Sequence, residues 1–294
     1  MKNIPACPVC NSADFELNLV CKDHTVSHDS FKIQECSTCG FRFTNPIPEE
    51  IDLSNYYESE DYISHSNTSK DLISKIYQIA RKGAIKNKFN LVRERVDGSS
   101  WLDIGSGTGD YMSYCFHNGL NIKGIEPSDK ARTYGVEEFG LEIYPENKLN
   151  EFRDESFDAI TMWHVLEHVY HLQNRVKKIV SLLRPNGAAF IAVPNCNSLD
   201  AEKYKEYWAA YDVPRHLYHF RQEQMKRLWE SNGGEVIEVL PMKLDAYYVS
   251  LLSEKYKGSG ALAYPKALIS GLKSNLAAKK SGEWSSLIYV IGKK

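Results

Sequence analysis

The chain has 294 residues, of which 43% are hydrophobic, and a formal net charge of −2. This length provides a core for one large domain or two ordinary ones, and the near-neutral charge argues against a protein that coats nucleic acid. The N-terminus has no apolar segment typical of a secretory signal, and no run of about 18 apolar residues predicts a membrane span, so we expect a soluble cytoplasmic protein.

Two C-x-x-C pairs lie near the N-terminus, Cys7 with Cys10 and Cys36 with Cys39. Each pair forms a tight turn that aims two thiolates at one ion, and two such turns complete a tetrahedron around Zn²⁺. Residues 1–45 therefore predict a structural zinc ribbon rather than unrelated redox or buried thiol pairs. The ribbon has four Lys/Arg against five Asp/Glu, so it lacks the positive charge that binds a phosphate backbone. A nucleic-acid partner is therefore not expected.

Over residues 46–98 the sequence predicts a proline-containing connector followed by a helical lead-in from about Asp71 to Arg95. Residues 70–95 carry eight Lys/Arg against two acids. This excess of positive charge fits either a solvated helix face or a basic surface at the edge of the site that attracts a phosphorylated substrate.

Strand and helix patterns alternate from residue 99 to the C-terminus. The segments WLDIG, IKGIEP, LEIYP, FDAITMW and AAFIAVP predict strands, and helical segments of 10–15 residues separate most of them. This alternation predicts an α/β fold with a doubly wound parallel sheet. Near the C-terminus, GEVIEVLP and SSLIYVIGKK predict an antiparallel pair that closes the sheet.

The segment LDIGSGTGDY places Gly105, Gly107 and Gly109 directly after a strand and before a helix. Glycines at these positions let the backbone turn tightly and approach a ligand. The spacing is G-x-G-x-G rather than the G-x-G-x-x-G of dinucleotide-binding proteins. The preceding Asp103 would repel a pyrophosphate but suits a cationic amino group, and Glu126, after the next strand, suits a ribose diol.

Together these features resemble the class I S-adenosylmethionine-dependent methyltransferases over about residues 95–240. The resemblance implies a Rossmann-like seven-stranded sheet with S-adenosylmethionine at its carboxyl edge. The segment SFDAITMWHVLEHV then matches the fourth strand, and LLRPNGAAFIAVPN matches the following helix and strand. The cofactor-binding residues implied are Asp103, Gly105, Ser106, Gly107, Gly109, Tyr111, Glu126, Asn147, Met162 and Trp163.

The segment HVLEHV brings His164, Glu167 and His168 to the end of that fourth strand. On a helix, these three positions would share one face and point into the same cleft. Three interpretations remain open: a local scaffold, a histidine acting as general base, or a metal site. The metal site resembles the E-x-x-E-H helix of small-RNA 3′-end methyltransferases, although this chain has His164 where they have glutamate.

A second cluster lies in DVPRHLYHF, at residues 212–220. We expect Arg215 to bind an anionic substrate and His216 to act as a base or an orienting donor. The preceding aromatic-rich segment EKYKEYWAAYD predicts either a lid over the site or a core segment. The candidate catalytic residues are therefore His164, His168, His216 and Arg215.

The ribbon ahead of the methyltransferase pattern resembles sugar methyltransferases of surface-polysaccharide pathways. The resemblance implies O- or C-methylation of a small, glycan-related acceptor such as a nucleotide-linked sugar. Two alternatives stay open, a metal-dependent RNA or quinol O-methyltransferase and a non-catalytic module that binds the cofactor and a partner. The sequence does not predict the oligomeric state.

Overall fold

The computed structural model describes residues 1–57 and 72–294, with the side chains of 72–81 outside the description. The described chain forms a seven-stranded and a four-stranded sheet. Part of the predicted lead-in helix, including its start at Asp71 and most of its apolar face, lies outside the described side chains. The described part of this helix, α1, spans Leu72–Arg93.

The large sheet has the strand order β10-β11-β8-β7-β4-β5-β6. Strands β4 to β8 run parallel, and β11 pairs antiparallel with both β8 and β10. This confirms the predicted doubly wound α/β sheet and its antiparallel closing pair. The strands are β4 (Ser100–Ile104), β5 (Asn121–Ile125), β6 (Glu142–Tyr144), β7 (Phe157–Trp163), β8 (Leu183–Pro194), β10 (Gly234–Pro241) and β11 (Ser286–Lys293).

Helices pack on this sheet because their apolar residues recur on one face. In the helix Leu172–Leu182, α4, for example, Val176, Ile179 and Val180 are buried. Helix α4 ends earlier than predicted, since the chain is already extended from Leu183. The helices that follow α1 are α2 (Asp110–His117), α3 (Asp129–Phe139), α4 (Leu172–Leu182), α5 (Leu199–Tyr204), α6 (Gln222–Glu230), α7 (Asp245–Tyr256) and α8 (Ala263–Ser281).

The small sheet joins the N-terminal segment to the large domain. Its strands are β1 (Phe15–Lys22), β2 (Ser30–Cys36), β3 (Arg42–Thr44) and β9 (Tyr218–His219). Strands β1 to β3 lie within the predicted ribbon, but β9 comes from the predicted methyltransferase segment and pairs antiparallel with β3. Two of the predicted divisions, 1–45 and 99–294, therefore contribute strands to the same sheet.

The two sheets also share a hydrophobic cluster. Phe41 and Phe43 are fully buried and belong to the same cluster as Leu102 and Ile104 of β4. The ring of Phe41 lies 5.6 Å from that of Phe220, which follows β9. Because this packing crosses from one sheet to the other, we expect them to unfold together.

The substitution Phe41→Ala tests this shared core. It should lower the free energy of unfolding by about 3–5 kcal/mol, since it leaves a cavity in a closed cluster. Urea denaturation followed by tryptophan fluorescence should show one transition at lower urea concentration. Phe116→Ala is the control because Phe116 is 54% exposed. Two separate transitions in the variant would contradict a shared core.

Candidate functional site

The predicted glycine loop connects β4 to α2 at the carboxyl edge of the large sheet. Gly105, Gly107 and Gly109 all have positive φ angles, of 76°, 55° and 84°. A Cβ on Gly105 would lie 2.3 Å from a methyl group of Val165, so that position requires glycine. A Cβ on Gly107 would meet no atom within 4 Å, so its backbone borders open space.

Two buried carboxylates border this loop. Asp103 accepts a hydrogen bond from the Thr161 hydroxyl at 2.6 Å, and burial raises the pKa of Asp103 to about 7. Glu126 accepts hydrogen bonds from the backbone N–H groups of Gly107 and Ser128, both at 2.9 Å. Fixed acceptors at the ends of β4 and β5 suit the amino group and the ribose of S-adenosylmethionine, as predicted.

Polar atoms without partners face the same region. The Ser106 hydroxyl and the Trp163 indole N–H are buried and lack hydrogen-bond partners among the described residues. The rings of Tyr111 and Trp163 meet edge to face at 5.8 Å. Unsatisfied buried donors of this kind are typical of a site shaped for a ligand, so these residues fit the implied cofactor.

Other predicted cofactor residues differ in exposure. Met162 is fully buried in β7, whereas Asn147 is exposed on the 3₁₀ turn after β6.

The structure adds Lys88 of α1, whose ammonium lies 4.6 Å from the centre of the Trp163 ring. Burial lowers the pKa of Lys88, and Asp103 counteracts this electrostatically. Its only sequence signal was the general basic excess of 70–95.

His164 follows β7 in a left-handed conformation with φ of 59°. Its Nε2 lies 3.1 Å from the Asp245 carboxylate and its Nδ1 lies 3.5 Å from Glu167. Burial favours the neutral ring, but the two carboxylates prevail and raise the pKa of His164 to about 9. The imidazolium therefore persists at neutral pH and has no lone pair with which to accept a proton.

Glu167, His168 and His216 form a second, tighter group. Residues 166–168 adopt a 3₁₀ turn rather than the predicted α-helix, yet both histidines still face the carboxylate. The potential ligand atoms of the three residues lie within 4.8 Å of one another. The Glu167 carboxylate is buried, and neither oxygen has a hydrogen-bond partner among the described residues.

Hydrogen bonds orient the two histidine rings. Nδ1 of His216 lies 2.9 Å from the Ala210 carbonyl, and Nδ1 of His168 lies 3.1 Å from the Arg215 carbonyl. A carbonyl only accepts, so for His216 this bond places the proton on Nδ1 and leaves the lone pair on Nε2. Nδ1 of His168 also lies 2.9 Å from the Tyr57 hydroxyl, which can either donate or accept. A backbone carbonyl on the second nitrogen is the usual environment of a metal-bound histidine.

Charge also suits a cation in this group. Burial and the neighbouring His216 lower the pKa of His168 to about 4, which keeps its ring neutral. Burial favours the protonated form of Glu167, but the surrounding histidines, His164 first, keep its pKa below the usual value. A neutral imidazole and an ionised carboxylate are the protonation states required for metal binding.

Arg215 takes a different place from the one expected. Its guanidinium donates to Asp23 at 3.0 Å, to Asp212 at 2.7 Å and to the Tyr56 carbonyl at 3.0 Å. The side chain is buried against the loop before β2. The expectation of a guanidinium open to an anionic substrate is thus replaced by a buried ion-pair network, because two carboxylates already neutralise it.

The aromatic segment before this loop is part of the core. Tyr204, Trp208 and Tyr211 are buried in one hydrophobic cluster with β1 and β2 residues. This arrangement matches the second of the two predicted interpretations. Sequence reasoning missed Asp245, since nothing near it in the chain indicates that it contacts His164.

The four ribbon cysteines converge as their spacing predicts. The sulfur atoms of Cys7 and Cys39 are 3.6 Å apart, and those of Cys10 and Cys36 are 3.5 Å apart. Sulfurs bound tetrahedrally to Zn²⁺ at about 2.3 Å would be about 3.8 Å apart. The cluster therefore has the size and donor set that a zinc ion requires.

Comparisons with known proteins agree with this geometry. A family model described as "Methyltransferase domain" matches residues 77–239, more than half of the chain. The ubiquinone biosynthesis O-methyltransferase of Actinobacillus pleuropneumoniae serotype 7 is 34% identical over 174 residues, covering 54% of this chain and 73% of the relative. That of Nitrosococcus oceani is 34% identical over 119 residues, covering 38% of this chain and 48%, about half, of the relative.

Solved structures resemble the fold. Phosphoethanolamine N-methyltransferase 2 of Haemonchus contortus aligns with a TM-score of 0.53 and 18% identity, over 95% of this chain and 68% of that one. An S-adenosylmethionine-dependent methyltransferase of Archaeoglobus fulgidus aligns with a TM-score of 0.50 and 15% identity, over 76% of this chain and 100% of that one. With the family match and the geometry of the glycine loop, the chain belongs to the methyltransferase-domain family and is an S-adenosylmethionine-dependent methyltransferase.

Proposed function

We propose that this enzyme transfers the methyl group of S-adenosylmethionine to a hydroxyl oxygen of a small acceptor. The observation that carries the proposal is the group of Glu167, His168 and His216, which lies next to the cofactor-binding edge of β7. A phenol or quinol is the acceptor class that we favour, since the relatives named above are O-methyltransferases of ubiquinone biosynthesis.

His164 and His168 differ in charge and therefore in the chemistry that each can perform. His164 stays protonated between two carboxylates and orients Glu167. His168 presents a neutral ring, beside His216, toward the place where an acceptor hydroxyl would meet the methyl donor. A hydroxyl must lose its proton as it attacks, and a neutral imidazole of this kind accepts it. The sulfonium is already an activated leaving group, so positioning supplies most of the remaining catalysis.

As the alternative to proton acceptance by an imidazole, we propose that Glu167, His168 and His216 hold a divalent cation. A bound cation would lower the pKa of the acceptor hydroxyl and orient it. The chain itself supplies an ionised carboxylate and two imidazoles, each ring fixed by its bond to a backbone carbonyl. This corresponds to the metal-dependent quinol alternative, even though His164 replaces the first glutamate of the E-x-x-E-H pattern.

A nucleotide-linked sugar is the second candidate acceptor. The converging cysteines near the N-terminus favour it, because the sequence resemblance to sugar methyltransferases rests on that ribbon. In either case we propose that Cys7, Cys10, Cys36 and Cys39 bind a structural zinc ion.

An acceptor screen separates these candidates. We expect S-adenosylhomocysteine to form when the enzyme is mixed with S-adenosylmethionine and a dihydroxybenzene, but not with nucleotide-linked deoxysugars. Mass spectrometry of the product should show methylation on oxygen. Turnover with the nucleotide-linked sugars but not with the dihydroxybenzene would identify the sugar, rather than the phenol or quinol, as the acceptor.

Glu167→Gln should lower methyl transfer at least about 100-fold with S-adenosylmethionine binding unchanged, because the acceptor loses its activating group. Metal analysis should show one divalent ion fewer than in the wild-type enzyme. Glu137→Gln, an exposed change on α3, is the matched control. If the variant is slow but a chelator does not inhibit the wild-type enzyme, Glu167 acts in proton transfer without a metal.

The pKa of His164 predicts a pH-dependent contribution to stability. The folded value of about 9 exceeds the ordinary 6.5, so this stability is fully present below pH 6.5 and is lost as the pH rises through 9. His164→Gln should cost about 1–2 kcal/mol at low pH, a value reduced for the partial exposure of the ring, and little above pH 9. Urea titrations at several pH values measure this, with exposed His117→Gln as control. A cost independent of pH would contradict the charged ring.

Replacing Cys36 and Cys39 together with serine should release zinc and destabilise the whole chain, because the ribbon shares its core with the large sheet. Zinc content and thermal unfolding are the measurements. A control is Cys115→Ser, which removes a buried thiol outside the cluster. Wild-type protein that is fully folded and zinc-free after purification would contradict the zinc assignment.

A further inference from the structure

Helices α7 and α8 form a hairpin inserted between β10 and β11 that the sequence patterns did not predict. The two helices pack closely through small residues of α8. A Cβ on Gly271 would lie 2.5 Å from the Tyr247 ring, so the helices approach more closely there than a side chain allows. The buried positions of α8 are Ala263, Ala267, Ser270, Gly271, Ser274 and Ala278.

The outer face of α8 carries the large apolar residues instead. They recur mostly every fourth residue, so they form one continuous stripe along the helix. Each of them is at least 50% exposed, in contrast to the usual burial of large aliphatic side chains. We name this the α8 stripe, formed by Tyr264, Leu268, Ile269, Leu272 and Leu276.

The hairpin that carries the stripe is rich in exposed lysines. Residues 243–281 contain seven lysines and two acids. Both acids are engaged within the fold: Asp245 faces His164, and buried Glu254 accepts hydrogen bonds from Tyr204 and Ser259. The exposed charge of the hairpin is therefore positive, in a chain whose net charge is −2. The lysines are Lys243, Lys255, Lys257, Lys266, Lys273, Lys279 and Lys280.

We propose that the α7–α8 hairpin docks on an anionic membrane surface, with the α8 stripe inserted at the level of the lipid headgroups. A helix with an apolar face and flanking lysines lies in the membrane interface, held by apolar burial and by attraction to anionic lipids. No described helix is long and apolar enough to span a bilayer. Docking therefore occurs along the surface.

Charge argues against a second copy of the chain as the occupant. A symmetric dimer through the α8 stripe would bring the lysines of both copies together around an apolar contact. Like charges at such an interface oppose association. An anionic lipid surface neutralises the same lysines and covers the stripe, so one ligand accounts for both features.

Sedimentation with lipid vesicles tests the proposal on the full-length chain. We expect the protein to pellet with vesicles of phosphatidylcholine and phosphatidylglycerol, and to remain in the supernatant with phosphatidylcholine alone. High salt should reduce the pelleted fraction because it screens the lysines. A wild-type protein that remains in the supernatant with both vesicles would overturn the proposal.

Two variants separate apolar and charge contributions. Leu268→Glu with Leu272→Glu should abolish pelleting, and Lys273→Gln, Lys279→Gln and Lys280→Gln together should lower the partition coefficient about 100-fold. The matched controls are Leu17→Glu with Val20→Glu, exposed apolar residues of β1, and Lys130→Gln, Lys177→Gln and Lys226→Gln, exposed lysines elsewhere. Both controls should bind as the wild type does.

Folding and self-association complete the test. Circular dichroism and S-adenosylmethionine binding should be unchanged in all variants, since the stripe lies outside the cofactor site. Light scattering without vesicles should give the same mass for wild type and Leu268→Glu/Leu272→Glu. A wild-type dimer that this variant dissociates would overturn the proposal by showing that a second copy covers the stripe. Vesicle binding requires no methyl transfer, so its outcome is independent of the acceptor assigned above.

Discussion

The ion pairs of Arg215 constrain the rest of the site. Arg215 and Asp23 are both almost fully buried, and a charge left unpaired there would be costly. Their contact holds the loop that ends in β9 against the N-terminal sheet, while Asp212 closes the network from the same loop. His216 is the next residue, so its position follows from a contact to a segment far away in the chain. The N-terminal sheet thereby helps to position the candidate site.

Electrostatics assigns different properties to two histidines that look equivalent in the sequence. His164 lies between two carboxylates and is charged, whereas His168 is buried beside another histidine and is neutral. Glu167 links them, since it lies near both rings. The left-handed turn at His164 accompanies this arrangement and lets the chain leave β7 without forming the predicted helix there.

The sequence predicts what depends on local pattern. Strand alternation predicted the parallel sheet and its antiparallel closing pair, and residue spacing predicted both the glycine loop and the cysteine cluster. It could not predict contacts between distant charges, such as Arg215 with Asp23, 192 residues apart. The same applies to Asp245 beside His164, since either residue alone has ordinary neighbours. Helix α8 was missed for another reason: its small residues face inward and its large ones outward, which reverses the pattern that identifies a buried helix face.

That reversal has an evolutionary consequence. The hairpin is held together by backbone proximity at Gly271, where close approach leaves no space for a larger residue. The outer residues of α8 contribute little to its packing, so mutation can change them at small cost in folding free energy. Selection can therefore change the surface to which the enzyme binds without changing the residues of the methyl-transfer site. Among homologues, we expect the inner positions of α8 to remain small and the outer ones to diversify.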